Sequence, residues 1–380
     1  MTESKNRIVG LDLMRAAAIV CVLIAHTIFF LGLAGAGDET RNFVFTLYFG
    51  FIGVELFFVL SGFLIGTILL KLYTRSSTLH WHVVRYFWVR RWFRTLPNYY
   101  LMLVVHFVFS WAVAKGDLPS IWQLLKYLLF LQNATTPHPY FFGVAWSLSI
   151  EEWFYLTFPV GLLIAQWLVP GKKSRSFFLT ICSFIVICTA GRCASALVEN
   201  HNWEPWFRRV MSLRIDSIAI GVLMAAVKWF NYSWYDKYRS AHFAIGVFLF
   251  FVFSLIYYFD FLVHREGSVF LKTVFFPAFS LAIALLIPML ENVRLNPIMK
   301  SVVTYVSITS YSVYLSHALI MEWFALHTQY PVLTKLVLSW LSIAVISYLQ
   351  YEYFERPFTS LRDKIGSIDD HVGYSEQNTS

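Results

Sequence analysis

The sequence predicts an all-α polytopic membrane protein, and three observations carry that expectation. The 380 residues are 58% hydrophobic and only 14% charged, with a mean hydropathy of +0.60. A soluble globular chain carries about a quarter of its residues as Asp, Glu, Lys or Arg. Apolar runs of about twenty residues recur along the whole chain, each long enough to cross a bilayer core at about 1.5 Å per residue. Lys and Arg gather in alternate connections, as the bias toward cytoplasmic loops requires. The alternating pattern of a membrane barrel is absent.

Ten spans are expected, over residues 10–33, 43–72, 92–114, 146–169, 177–194, 213–230, 241–262, 270–290, 302–326 and 331–354. The stretch from Ile121 to Leu131 is apolar but covers only about half a bilayer core, so it reads as a short re-entrant or interfacial helix. With the N-terminus inside, Arg75, Arg85, Arg90, Arg91 and Arg94 fall on the cytoplasmic side. So do Lys172, Lys173 and Arg175, then Lys228, Lys237 and Arg239, then Arg294 and Lys300, then Arg356, Arg362 and Lys364. Both termini are therefore expected in the cytoplasm. Arg208, Arg209 and Arg214 are the exception: they fall at the outer side and read as lining for an anion pocket.

Lys5, Arg7 and the following apolar run, with Ala34-Gly35-Ala36 behind it, imitate a signal peptide. The run is too long for one and carries Arg15 and His26, so an uncleaved first span is expected. Residues 1–364 read as one membrane domain and 365–380 as a polar, disordered tail. The net charge of +8 is topological and gives no reason to expect nucleic acid. Cys21, Cys182, Cys188 and Cys193 lie in apolar stretches as buried thiols, and no metal-ligand spacing occurs.

Arg15 and His26 share the first span. Eleven steps of an α-helix give about 16 Å and close to three full turns, so both side chains lie on one face. Ionisable groups at bilayer depth are costly and mark function. A cation at the rim that holds a phosphate, with an imidazole deeper for proton transfer, suits a long ligand with an anionic head and a reactive tail.

Further polar groups interrupt the apolar spans. Glu55 precedes Ser61-Gly62, where Gly allows close helix approach. Glu55 reads as the partner of a cation or a helix cap, and Ser61 either packs or serves as an acyl acceptor beside a base. Arg90, Arg91 and Arg94 stand at the cytoplasmic mouth of the third span, with Arg91 and Arg94 on one face. They read as a topological anchor, and arginine forks also suit phosphate. Glu151 and Glu152 open the fourth span, where Ser149 as cap and one acid near the helix start account for only part of the pattern. Asp216 with Arg214, Tyr311 with His317, and Glu355 before Arg356-Pro357 are weaker candidates. Pro357 is expected to stop the last helix.

These segments, in this order, resemble the acyltransferase 3 family of membrane-bound acyltransferases, whose members include O-acetyltransferases of bacterial surface sugars. The resemblance rests on Arg15 and His26, on Phe57 to Phe63, on Trp146-Ser-Leu-Ser-Ile-Glu-Glu152, on Tyr311 to His317, and on Glu355-Arg-Pro-Phe358. It runs from about residue 7 to residue 358. Departures are Glu55 where Asp is expected, Trp153 where Gln is usual, and an Arg-Arg-x-x-Arg run that leaves the matching arginine pair open. Some relatives carry a fused extracytoplasmic hydrolase-like domain, and a stand-alone membrane domain is expected here.

The resemblance implies an O-acyltransferase of a bacterial inner membrane. Its co-substrate is acetyl-CoA or another acyl-CoA from the cytoplasm, with no tightly bound cofactor. The acceptor is a hydroxyl of a glycan or lipid-linked sugar. On this reading Arg15, Arg90, Arg91 and Arg94 hold the CoA phosphates and His26 is the general base, with Glu151 or Glu152 as supporting acid. A transporter or flippase without covalent chemistry is the rival, since intramembrane His, Glu and Asp also mark proton relays. It would show the repeated, interrupted helices of such carriers, and the sequence offers none.

Overall fold

The structure, a computed structural model, describes residues 7–33, 39–75, 78–114, 118–198, 201–264 and 267–363. The expected tail 365–380 and the Ala34-Gly35-Ala36 site lie outside the described residues. Among the described residues there are helices and connections but no strand.

The helices are α1 (Val9–Leu33), α2 (Glu39–Arg75), α3 (Trp81–Phe109), α4 (Ile121–Leu128), α5 (Ala145–Leu168), α6 (Lys173–Val198), α7 (Asp216–Phe230) and α8 (Tyr232–Lys237). There follow α9 (Arg239–His264), α10 (Val269–Lys272), α11 (Phe275–Ala284), α12 (Ile287–Leu290), α13 (Pro297–His327), α14 (Val332–Gln350) and α15 (Arg356–Asp363). The chain is an all-α polytopic membrane protein. Among the described residues seven helices are long and apolar enough to cross a bilayer, drawn from α1, α2, α3, α5, α6, α9 and α14. The other three expected segments are helical as well. However, α7 has only 15 residues, 275–290 is a shorter apolar stretch, and the 31-residue α13 carries His317 and a run of Ser and Thr.

Two boundaries differ from expectation for physical reasons. Helix α3 begins at Trp81, not near residue 92, because Val83, Val84 and Phe87 bury one face of an otherwise basic first stretch. At the other end, Pro357 does not stop the last helix. A π-helical turn over Tyr351–Glu355 widens the hydrogen-bond ladder just before it, and the chain continues as α15. Such a turn accommodates a residue that lacks an N–H.

The short apolar stretch forms α4, about 12 Å long, which is too short to cross. Ser120 and Gln123 cap its start reciprocally. The last turn of α4 leans on the middle of α3, where Tyr99 and Tyr100 donate to the carbonyls of Tyr127 and Leu128, each at 2.9 Å. Trp153, the departure noted in sequence, donates its indole N–H to the Phe130 carbonyl at 3.1 Å and so ties α5 to this loop.

Helices α1 and α13 run parallel. Arg15 reaches Ser307 at one level and His26 meets His317 at the next. Helix α2 packs between α1 and α7, with Gly53 against Ala18 and Val22 and Gly62 against Ile218 and Gly221.

Candidate active site

Five helices, α1, α2, α3, α5 and α13, enclose a cavity of about 780 Å³ of empty space including its mouth. Three arginines and a single acid, Glu151, are the charged residues in its wall.

Arg15 donates to Ser307 Oγ at 3.3 Å and lies 3.9 Å from Asp12. Asp12 is already engaged, since Arg7 binds it at 2.7 Å and Ser307 donates to it at 2.6 Å. Arg91 and Arg94 come from one face of α3, and neither forms an ion pair with a carboxylate among the described residues. Arg91 lies over the Tyr155 ring, 4.9 Å from its centroid. Arg90 is off the cavity, over Tyr86. Of the three arginines of this run, Arg91 and Arg94 line the cavity and Arg90 does not. The wall thus holds a surplus of positive charge.

Glu151 faces the cavity and accepts from the Tyr155 hydroxyl at 3.1 Å. Tyr155 therefore spends its one hydrogen on Glu151, and Ser61 donates to Tyr155 in turn. Ser61 lines the wall beside a phenol, not a histidine. Glu152, about 100° further round α5, turns away and stays buried outside the lining. Tyr311 lines the wall and donates to the Thr95 carbonyl at 2.8 Å.

At the other end Tyr314 closes the wall. Its hydroxyl bonds Ser147 at 2.5 Å and donates to the Val144 carbonyl at 3.2 Å. His317 lies behind it, with ring centroids 5.9 Å apart. His26 lies behind His317, its ring at right angles and 4.6 Å away. Arg15 is in the wall and His26 is not; His26 is reached through Tyr314 and His317.

The remaining candidates lie elsewhere. Glu55 is sealed in an ion pair with Arg214 and accepts from Ser280 at 2.9 Å. Asp216 pairs with Arg192 at 2.5 Å. Glu355 accepts from Ser312 at 2.6 Å and from Asn98 at 3.3 Å, in a buried cluster outside the cavity lining. The expected anion pocket of Arg208, Arg209 and Arg214 is not formed. Arg208 and Arg209 both bind Glu204 at 2.7 Å, and Arg214 is taken by Glu55. The molecule supplies its own anions there. Burial by itself raises the Glu204 carboxyl, but Arg209 and Arg208 outweigh it and hold Glu204 below the usual carboxylate range.

Sequence reasoning gave no role to Tyr155, Tyr314 or Ser307. Tyr155 stands four residues after Glu151, and Tyr314 three after Tyr311 and three before His317, so helical spacing was the available signal.

Comparisons with known proteins give the family. Residues 8–349 match the family model described as Acyltransferase domain. The chain is 33% identical over 205 residues to "Putative peptidoglycan O-acetyltransferase YrhL" of Bacillus subtilis (strain 168), covering 50% of this chain and 28% of that protein. It is 30% identical over 184 residues to peptidoglycan O-acetyltransferase OatA of Listeria monocytogenes, covering 45% of this chain and 26% of that protein. It is 26% identical over 233 residues to O-acetyltransferase OatA of Staphylococcus aureus (strain NCTC 8325 / PS 47), covering 57% and 34%. The aligned part is about a quarter to a third of each relative's length. No solved structure matches the chain. With the family model spanning most of its length, the chain belongs to the acyltransferase 3 family of membrane acyltransferases.

Proposed function

We propose that this chain is a membrane O-acyltransferase that moves an acyl group, acetyl first among candidates, from cytoplasmic acyl-CoA to a hydroxyl of a glycan or lipid-linked sugar. The names of the relatives make peptidoglycan the first acceptor to try. The observation that carries the reading is the cavity itself, with Arg15, Arg91 and Arg94 facing a single acid in its wall. Arg91 and Arg94, which form no ion pair with a carboxylate among the described residues, and Arg15, whose Asp12 is shared with Arg7, suit the phosphates of CoA, as bidentate arginine–phosphate geometry favours. On this reading their end of the bundle faces the cytoplasm.

The pantetheine arm then runs along α1 toward Tyr314, and the thioester comes to rest near the histidines. His26 acts as general base on the acceptor hydroxyl. Glu151 keeps Tyr155 and Ser61 in place along the arm's path. Polar groups fixed in a cavity hold a long substrate in one pose, which is where much of the barrier reduction in acyl transfer arises.

Purified full-length protein in nanodiscs, given acetyl-CoA and a muropeptide acceptor, should release CoA thiol and yield an O-acetylated product by mass spectrometry. His26→Ala should abolish both while the protein still inserts and elutes as a folded species. Translocation of a glycan with no thiol released would replace this reading with a carrier. Activity of His26→Ala within a few-fold of the parent would remove His26 from the chemistry.

A further inference from the structure

The hydrogen bonds of the two imidazoles, one half-buried and one wholly buried, fix their tautomers. His26 Nδ1 lies 2.9 Å from the Val22 carbonyl oxygen, and His317 Nδ1 lies 3.0 Å from that of Val313. A carbonyl oxygen only accepts, so each Nδ1 carries the hydrogen and each Nε2 keeps a lone pair. His317 is wholly buried, and its Nε2 has no hydrogen-bond partner. A buried polar atom without a partner is rare in a folded protein and calls for a use.

The surroundings point to that use. Arg208 and Arg209 act electrostatically on His26 from the segment before α7, and His106 of α3 acts on His317. Tyr314 adjoins from α13 itself, with its hydroxyl already committed to Val144 and Ser147. No carboxylate pairs with either imidazole among the described residues. The base set against His26 is the imidazole of His317.

Resting on the reading of His26 as base, we propose that His317 is a positioning residue whose ring, set at right angles against His26, couples to it and supports the imidazolium that forms there. The acceptor O–H proton passes to Nε2 of His26. The acceptor oxygen bonds the acyl carbon, the carbon–sulfur bond breaks, and CoA leaves as thiolate. The proton stays on His26 Nε2, beside the His317 ring, until the thiolate takes it, leaving an acyl ester and CoA thiol. A second neutral imidazole spreads the charge where no carboxylate is at hand to balance it.

The first test needs no catalysis. In full-length protein labelled with ¹⁵N-histidine in nanodiscs, NMR should show His26 and His317 titrating as one coupled, single-proton transition. In His317→Gln the His26 ring should titrate as an isolated site. Two independent transitions, with His26 indifferent to His317→Gln, would overturn the coupling. The second test uses acetyl-CoA and a muropeptide acceptor. His317→Gln should lower kcat about a hundredfold, with KM for acetyl-CoA within twofold. Added imidazole should restore much of the rate of His317→Ala, because the lost ring leaves room for it. An unchanged kcat, or failure of imidazole to rescue a folded variant, would overturn the proposal. Loss in His26→Ala with an unchanged His317→Gln would sink the role of His317 alone, whereas an active His26→Ala would sink the reading beneath it.

Discussion

Gly62 of α2 and Gly221 of α7 meet at a crossing with no room for a methyl group. A Cβ on Gly62 would stand 2.0 Å from the Ile218 carbonyl oxygen, and one on Gly221 would stand 2.1 Å from that of Val59. This contact fixes the rotation of α2. Ser61, immediately before the crossing, is thereby held against Tyr155 in the cavity wall.

Gly62→Ala should therefore be costly, because the obstacle is backbone and cannot swing aside. A loss of about 3 kcal/mol is expected, at the upper end of overpacking effects. Thermal unfolding in detergent checks it, and a melting temperature unchanged within two or three degrees would contradict the close approach.

Glu55 and Arg214 set up a second test of the scaffold. Both are sealed from solvent, and the Arg214 guanidinium lies 3.8 Å from the Phe276 ring centroid. Removing one partner of a buried pair strands a charge and costs about 3–5 kcal/mol, whereas removing both is far milder. Glu55→Gln should lose most of the folded protein, and Glu55→Gln with Arg214→Met should recover much of it. Yield of monodisperse protein by size-exclusion chromatography is the measure.

Arg15→Lys tests the cation end of the cavity. Lysine keeps the charge but gives up the planar fork. Acetyl-CoA binding should weaken about tenfold, with stability and acceptor affinity little changed. Isothermal titration with acetyl-CoA checks it, and an unchanged affinity would leave Arg15 only its contacts to Ser307 and Asp12.

Acid should destabilise the loops outside the spans in two steps. Burial, aided by the nearby Arg209 guanidinium, pushes the His138 imidazole down to about 3. The unfolded chain takes that proton below about pH 6.5, while the folded one does not until about pH 3. Stability tied to His138 is thus present above about pH 6.5 and falls as the pH drops below it. Glu204, held low by Arg209 and Arg208 against its burial, contributes above the unfolded carboxylate value of about 4.3 and loses that contribution as the pH falls through its lower folded value. Melting temperatures between pH 7 and pH 4 should decline, and His138→Phe should flatten the upper part of that decline. An identical slope in His138→Phe would show that another group dominates.

Much of this was legible in the chain because helix periodicity and hydropathy are local. Runs of apolar residues placed the helices, spacing of three put Arg91 and Arg94 on one face, and a carboxylate inside an apolar span foretold a cation for Glu55. Spacing of eleven also turned Arg15 and His26 toward the same neighbour, α13. Long-range packing decided the rest. Where the cavity ends depends on Tyr314 and His317, nearly three hundred residues from His26 in sequence. Which of Glu151 and Glu152 faces it depends on the rotation of α5 about its axis, and adjacent residues differ there by about 100°. That Arg208 and Arg209 answer Glu204, not a ligand, follows from how the connection before α7 folds back on itself. A sequence states which charges enter the membrane. Only the packed bundle states which of them are neutralised from within and which are left facing open space.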